Sequence, residues 1–136
     1  MRENKTVREN EKYAPTKSLL DGSGKPLAWE FQHISSKENE NIRESSTMEV
    51  QVKGKPNVFR PKLNSSQYLS RMIVASTVFP DLYDKELQDS YGVMTPEELV
   101  FAMVDDPGEY NSLCEWLQKF QGFTRTFEEK VDEAKN

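Results

Sequence analysis

The sequence predicts an α+β fold: a small N-terminal antiparallel sheet with one helix, then a C-terminal cluster of about five helices. Strict apolar–polar alternation occurs only in the first half, in LAWEFQ (27–32) and MEVQVK (48–53), and a period of two puts alternate side chains on one face of a strand. From Asn64 onward the large apolar residues instead return every three or four positions, which is the period of one helix face. Pro, Gly, Asp, Asn and Thr punctuate that second half where helices would start and stop. Strands first and helices after, within 136 residues, describe one α+β domain. It is expected over 18–136, with strands mainly in 18–60 and helices mainly in 64–135.

Residues 1–17, MRENKTVRENEKYAPTK, hold few large apolar groups. They are expected to form a disordered tail, because little buried surface would offset the entropy of ordering them. Leu19 and Leu20 lead into DGSGKP, a turn composition, and Leu27, Trp29 and Phe31 alternate behind it, so the two flanks read as a hairpin. Ser35 followed by Glu38 is a capping box. The helix behind it, about 36 to 46, carries only Ile42 as a large apolar residue and belongs on the surface. Met48, Val50 and Val52 make one face of a second strand, broken by Gly54, Pro56 and Asn57. Val58 and Phe59 form a short return strand that Pro61 should stop.

Asn64 and Gln67 resemble a cap pair for the most apolar helix, whose Leu69, Met72, Ile73, Ser76 and Phe79 keep helical spacing up to Pro80. That helix is expected at the centre of the core. Asp84 opens a short helix with Leu87 and Tyr91. The stretch SYGVMTPEEL (90–99) then reads as a joint between two helices. Gly92 takes the left-handed position past the first helix, with Val93 packing back on Leu87. Thr95 caps the second, Pro96 is its first residue, Glu98 closes a capping box, and Met94 with Leu99 forms a hydrophobic staple. Leu99, Val100 and Met103 should face inward. Asp106 and Pro107 open the next helix, with a stripe of Tyr110, Leu113, Cys114, Leu117 and Phe120 that ends at Gly122. Thr126 and Glu129 box a last helix with Phe127, Val131 and Ala134.

No run of eighteen apolar residues exists and mean hydropathy is -0.80, so no membrane partner is expected. The N-terminus lacks the apolar core of a secretory signal. The single cysteine, Cys114, lies on an apolar stripe and reads as a buried, inert thiol in a reducing, cytoplasmic setting. His33, the only histidine, has no second His or Cys to make a metal set, and Asp105–Asp106 lacks the spacing of a calcium loop. Neither a nucleophile elbow nor a phosphate-cradling glycine motif occurs. Glu97 and Glu98 are accounted for by the helix start, and a catalytic acid pair would need a cleft and a second perturbed group. The residues thus predict no enzyme, no metal and no cofactor.

The net charge of -5 combines +4 over residues 1–79 with -9 over 80–136. The acidic second half disfavours nucleic acid as a partner. PEELVFAMV, the helix that would read bases in a helix-turn-helix, begins with two carboxylates. What remains for function is aromatic. Trp116, Phe120, Phe123 and Phe127 are the candidate partner-binding residues, because Trp116 lies about 100° round the helix from Leu117 and exposed aromatics make a surface for protein.

VASTVFPDL (74–82), KELQDSYGVMTPEEL (85–99), PGEY (107–110) and QGF (121–123) resemble, in order and spacing, the XkdN-like family of phage and prophage tail assembly chaperones. The resemblance covers about residues 25 to 136. It implies a non-enzymatic protein of the host cytoplasm that binds the tape measure protein, keeps its long apolar helices from aggregating, and helps tail tube protein gather on it. It implies protein partners only and supplies no catalytic, metal or cofactor residue. DDPGEY departs from the pattern in placing two acids before the proline, where a more apolar stretch is expected. The alternative is a structural tail completion or adaptor protein that stays in the particle.

Overall fold

In the computed structural model, which describes residues 7–123, the elements run β1 (Glu11–Tyr13), β2 (Trp29–Phe31), α1 (Ser36–Ser45), β3 (Thr47–Gln51), β4 (Phe59–Leu63), α2 (Ser65–Ser76), β5 (Thr77–Phe79), α3 (Lys85–Ser90), α4 (Pro96–Met103) and α5 (Pro107–Phe120). The α+β class stands, but the strands divide into two sheets. One is antiparallel with order β1-β2-β5, and the other is a β3-β4 ribbon. The helix expected over Thr126 to Ala134, with Phe127, lies outside the described residues.

Three strand expectations are corrected. The first concerns the tail: Glu11, Lys12 and Tyr13 are ordered as β1, opposite Phe31, Glu30 and Trp29. A segment poor in apolar residues can order when a rigid neighbouring strand already offers its backbone groups as a template. Second, α2 stops at Ser76 and Thr77–Phe79 becomes β5. β-branched and aromatic residues favour the pleated surface, and Pro80 disfavours a helical conformation at Phe79. Phe79 is therefore 48% exposed instead of joining the core. Third, β4 continues through Pro61, opposite Glu49. A ribbon strand has a partner on one side only, and proline is tolerated where its nitrogen faces the open edge. The ribbon buries its apolar side chains only in part: Val50 and Leu63 are half-buried, and Met48 and Phe59 stay exposed.

The expected hairpin is short: one bridge, Leu20 to Pro26, flanked by the Leu27 N–H on the Leu19 carbonyl and the Asp21 N–H on the Lys25 carbonyl, both 2.7 Å. Its turn is held by Asp21, whose Oδ1 accepts from the Ser23 N–H (2.8 Å), the Ser23 hydroxyl (2.7 Å) and the Lys25 N–H (3.1 Å). These bonds, with the Ser23 hydroxyl foremost, hold the carboxyl below its usual range. They favour the charged acceptor.

Helix ends follow local chemistry. The Ser35–Glu38 box is complete, each side chain bonding the other's backbone N–H at 3.1 Å, and α1 buries none of its residues. Asn64 Oδ1 accepts from the Gln67 N–H. At the α3–α4 joint, Gly92 has φ +70, its N–H donates to Asp89 O (3.0 Å), and the Val93 N–H donates to Gln88 O (3.1 Å). This is the double bond of a Schellman end. Thr95 Oγ1 accepts from the Glu98 N–H at 3.1 Å, but the return half of the box differs from expectation. The Glu98 carboxylate accepts from the Thr95 hydroxyl, not from its backbone N–H. Nor does Met94 staple: it is 85% exposed, and Val93 packs against the core instead. Thr95→Ala is accordingly expected to cost about 1 kcal/mol, or about 4 °C in Tm for a domain of this size, while Met94→Ala leaves Tm unchanged. Paired thermal melts check both.

The core forms where α2, α4 and α5 meet β2. Leu69, Met72 and Ile73 of α2, Leu99, Val100 and Met103 of α4, and Leu113, Cys114 and Leu117 of α5 are buried with Trp29 and Phe31. Each large apolar side chain so buried stabilises the fold by about 1.5–3 kcal/mol.

Candidate partner-binding surface

α5 uses two faces. Leu113, Cys114 and Leu117 face the helical core, as their spacing predicts. Trp116 and Phe120, four residues apart and so neighbours on one side of the helix, belong to the second face, towards the three-stranded sheet. There four rings stack in series. Tyr13 lies 4.6 Å from Trp116 with planes 13° apart, Trp116 lies 5.1 Å from Phe120 (6°), and Phe120 lies 4.0 Å from His33 (26°). Phe31 of β2 tilts against Trp116 at 5.2 Å. Such pairs contribute about 0.5–1.5 kcal/mol each beyond the area they bury. His33 therefore packs as an aromatic ring, and no group of three or more His, Cys, Asp or Glu among the described residues could hold a metal ion.

The N-terminal segment straps this stack. The Arg8 guanidinium donates to the Ile34 carbonyl (3.2 Å) and the Asn10 amide to the Glu30 carboxylate (2.9 Å). β1 then pairs with β2 and sets Tyr13 on Trp116. At the far end one carboxylate of α5 takes two donors: the Thr16 hydroxyl to Glu109 Oε1 (2.7 Å) and the Lys17 N–H to Glu109 Oε2 (2.9 Å). Thr16 is buried. Burial, and to a lesser degree the nearby Glu109 charge, raise the Tyr13 phenol above its ordinary pKa.

At the other end of α5, Gln121 is a clamp. Its Oε1 accepts from the Ile34 N–H (3.1 Å), and its Nε2 donates to the Gln32 carbonyl (3.0 Å) and to Ser76 Oγ (2.9 Å). Gly122 (φ +93) and Phe123 close the helix through N–H bonds to the Lys119 and Gln118 carbonyls.

Of the four candidate residues, the structure brings Trp116 and Phe120 into one stack and leaves both half-buried. Phe123 stands apart, lining a hollow with Arg8, Ile34, Asn39 and Gln121. Phe127 lies outside the described residues. Sequence reasoning missed Glu109 and Gln121, which fasten the strap and the sheet to α5. It also missed the exposed aromatics Phe59, Phe79, Tyr83 and Phe101. The position of Phe101, between inward Val100 and inward Met103, is a signal that could have placed it outside. Among the described residues no helix is long and apolar enough to cross a membrane.

Comparison with known proteins adds the following. A family model described as phage XkdN-like tail assembly chaperone protein matches residues 1–135. The phage-like element PBSX protein XkdN of Bacillus subtilis (strain 168) is 28% identical over 97% of this chain and 88% of its own length. The uncharacterized protein YqbN of the same strain is also 28% identical, over 96% of this chain and 87% of its own. A crystal structure of YqbN superposes with a TM-score of 0.74 at 21% identity, covering 90% of this chain and 92% of that one, so the two share the fold.

Proposed function

Because the chain belongs to the phage XkdN-like tail assembly chaperone family, we propose that it binds the tape measure protein of a long tail, assists assembly of the tail tube on it, and does so in the host cytoplasm without catalysis. One observation supports this reading most: an aromatic stack on a rigid helix, Trp116 and Phe120, covered by a short and largely polar strap. A long apolar client needs a partner that offers apolar contact while staying soluble itself. Aromatic rings give large contact area at low entropy cost, and a helix holds them more firmly than a loop. Phe59, Phe79 and Phe101 are further exposed aromatics that offer a client apolar contact.

The test uses the chain with Trp29→Phe, in which Trp116 is the remaining tryptophan. Adding a recombinant tape-measure fragment is expected to shift Trp116 emission and to give a complex on size exclusion. Unchanged emission together with no complex would sink the reading.

A further inference from the structure

The segment that covers the aromatic stack is built like a bound peptide and not like a core strand. Residues 7–14 are exposed or half-buried, and the segment is buried only at Pro15 and Thr16, where it meets α5. Its hold consists of separate contacts: Arg8 on the Ile34 carbonyl, Asn10 on Glu30, a three-residue ladder, one ring on Trp116, and two donors on Glu109. What lies beneath is of another kind. Trp29 and Phe31 are wholly buried, and Trp116 is held by the tilted ring of Phe31 and the stacked ring of Phe120. A firm floor under a loosely pinned cover is the arrangement of a peptide groove.

We propose that residues 8–17 are the resident occupant of a groove between β2 and α5, exchangeable for an extended segment of another protein. The incoming segment adds to β2 as an antiparallel strand, so that main-chain bonds give affinity and side-chain positions give selectivity. It lays an aromatic ring on Trp116 and, three residues later, presents a hydroxyl or N–H donor to Glu109, as Tyr13 and Thr16 do. Charge narrows the class further. All three polar anchor points of the groove floor are acceptors, the Ile34 carbonyl and the Glu30 and Glu109 carboxylates, so a donor-bearing or basic segment fits and an acidic one is repelled. The strap keeps the Trp116 face covered until a client arrives, and it lowers apparent affinity by the fraction of chains in which it is closed. In naming a tail client this inference deepens the chaperone reading and rests on it; the groove itself does not.

The probe is a labelled peptide with the sequence of residues 7–18, VRENEKYAPTKS, measured by anisotropy against the full chain. A tethered strap competes at an effective concentration on the order of millimolar. The chain carrying Tyr13→Ala and Thr16→Ala is therefore expected to bind the peptide at least tenfold tighter than wild type. A peptide with Glu at the Thr16 and Lys17 positions is expected to bind that variant at least tenfold more weakly. Equal binding to both chains, equal binding of the acidic peptide, or no binding to a double variant that circular dichroism shows to be folded overturns the groove.

Native-state hydrogen exchange of the wild-type chain gives an independent measurement. The β1 amides are expected to exchange well before the α5 amides, through a partial opening, and exchange of both only by global unfolding overturns the proposal. Competition separates the two readings. A tape-measure fragment that binds but is not displaced by the peptide places the client elsewhere and overturns this inference alone. Peptide binding with no fragment binding leaves the groove and removes the chaperone reading.

Discussion

Trp29→Ala is expected to cost about 3–5 kcal/mol, against a total of about 5–15 kcal/mol for a domain, and Trp29→Phe much less. Trp29 is fully buried in the central strand of the three-stranded sheet, beside Phe31 at 6.3 Å between ring centroids and opposite Tyr13 in the register. Alanine there leaves a ring-sized cavity between the helical core and β2, and β2 is the strand on which both β1 and β5 depend. Phenylalanine keeps the six-membered ring. It also removes a liability, because the indole Nε1–H is buried without a hydrogen-bond partner among the described residues. A dry donor costs about 1–3 kcal/mol, so Phe regains part of what it loses in area. Urea unfolding at constant m-value measures both variants. A loss of more than about 2 kcal/mol for Phe would show that the indole nitrogen makes a hydrogen bond in the folded chain.

The contrast between Trp29 and its partner strands also shows what a sequence can reveal of this fold. Helix ends are written locally. Ser35 with Glu38, Asn64 with Gln67, Thr95 with Glu98, and Gly92 with the carbonyls of Gln88 and Asp89 each involve residues within a few positions, so both partners can be read together. Strands are not local. β1 and β5 are three residues each, and neither carries an alternating pattern of its own; both exist because β2 offers its two edges. The polarity of residues 1–17 disfavours a core strand and leaves room for an edge strand such as β1. Periodicity alone carries α2 to Phe79, but three residues of strand chemistry before a proline end it at Ser76.

The candidate surface divides in the same way. That Trp116 lies off the core stripe follows from helix geometry alone, and it is half-buried where Leu113 and Leu117 are fully buried. That the face it meets is Tyr13 and Phe31 instead of open solvent depends on segments far away in the chain. Glu109 in the first turn of α5 reads from sequence as a carboxylate favoured by the helix dipole. Nothing local announces that the strap would deliver Thr16 and Lys17 to it.

Gln121→Leu is the other large effect, with an expected cost of about 3 kcal/mol. Leucine nearly conserves volume, so packing contributes little and the loss is polar. The buried Ile34 N–H, the Gln32 carbonyl and the Ser76 hydroxyl would lose their partner together. Each orphaned group costs about 1–3 kcal/mol, but they shared one side chain and the sum is less than additive. Gln121→Glu sharpens the argument through pH. The carboxylate keeps an acceptor for Ile34 but offers no donor to Gln32 or Ser76, and burial disfavours its charge, so its folded pKa lies above the unfolded value of about 4.3. An acid raised on folding contributes least at high pH. The Glu variant should therefore match the Leu variant near pH 7 and recover stability relative to it as pH falls through the folded pKa, with the recovery complete below about 4.3. Urea midpoints of wild type, Leu and Glu variants across pH 4–8 measure this. A flat difference between Glu and Leu would mean that the side chain at 121 reaches solvent and that the clamp between β2, α2 and α5 is weaker than its three bonds imply.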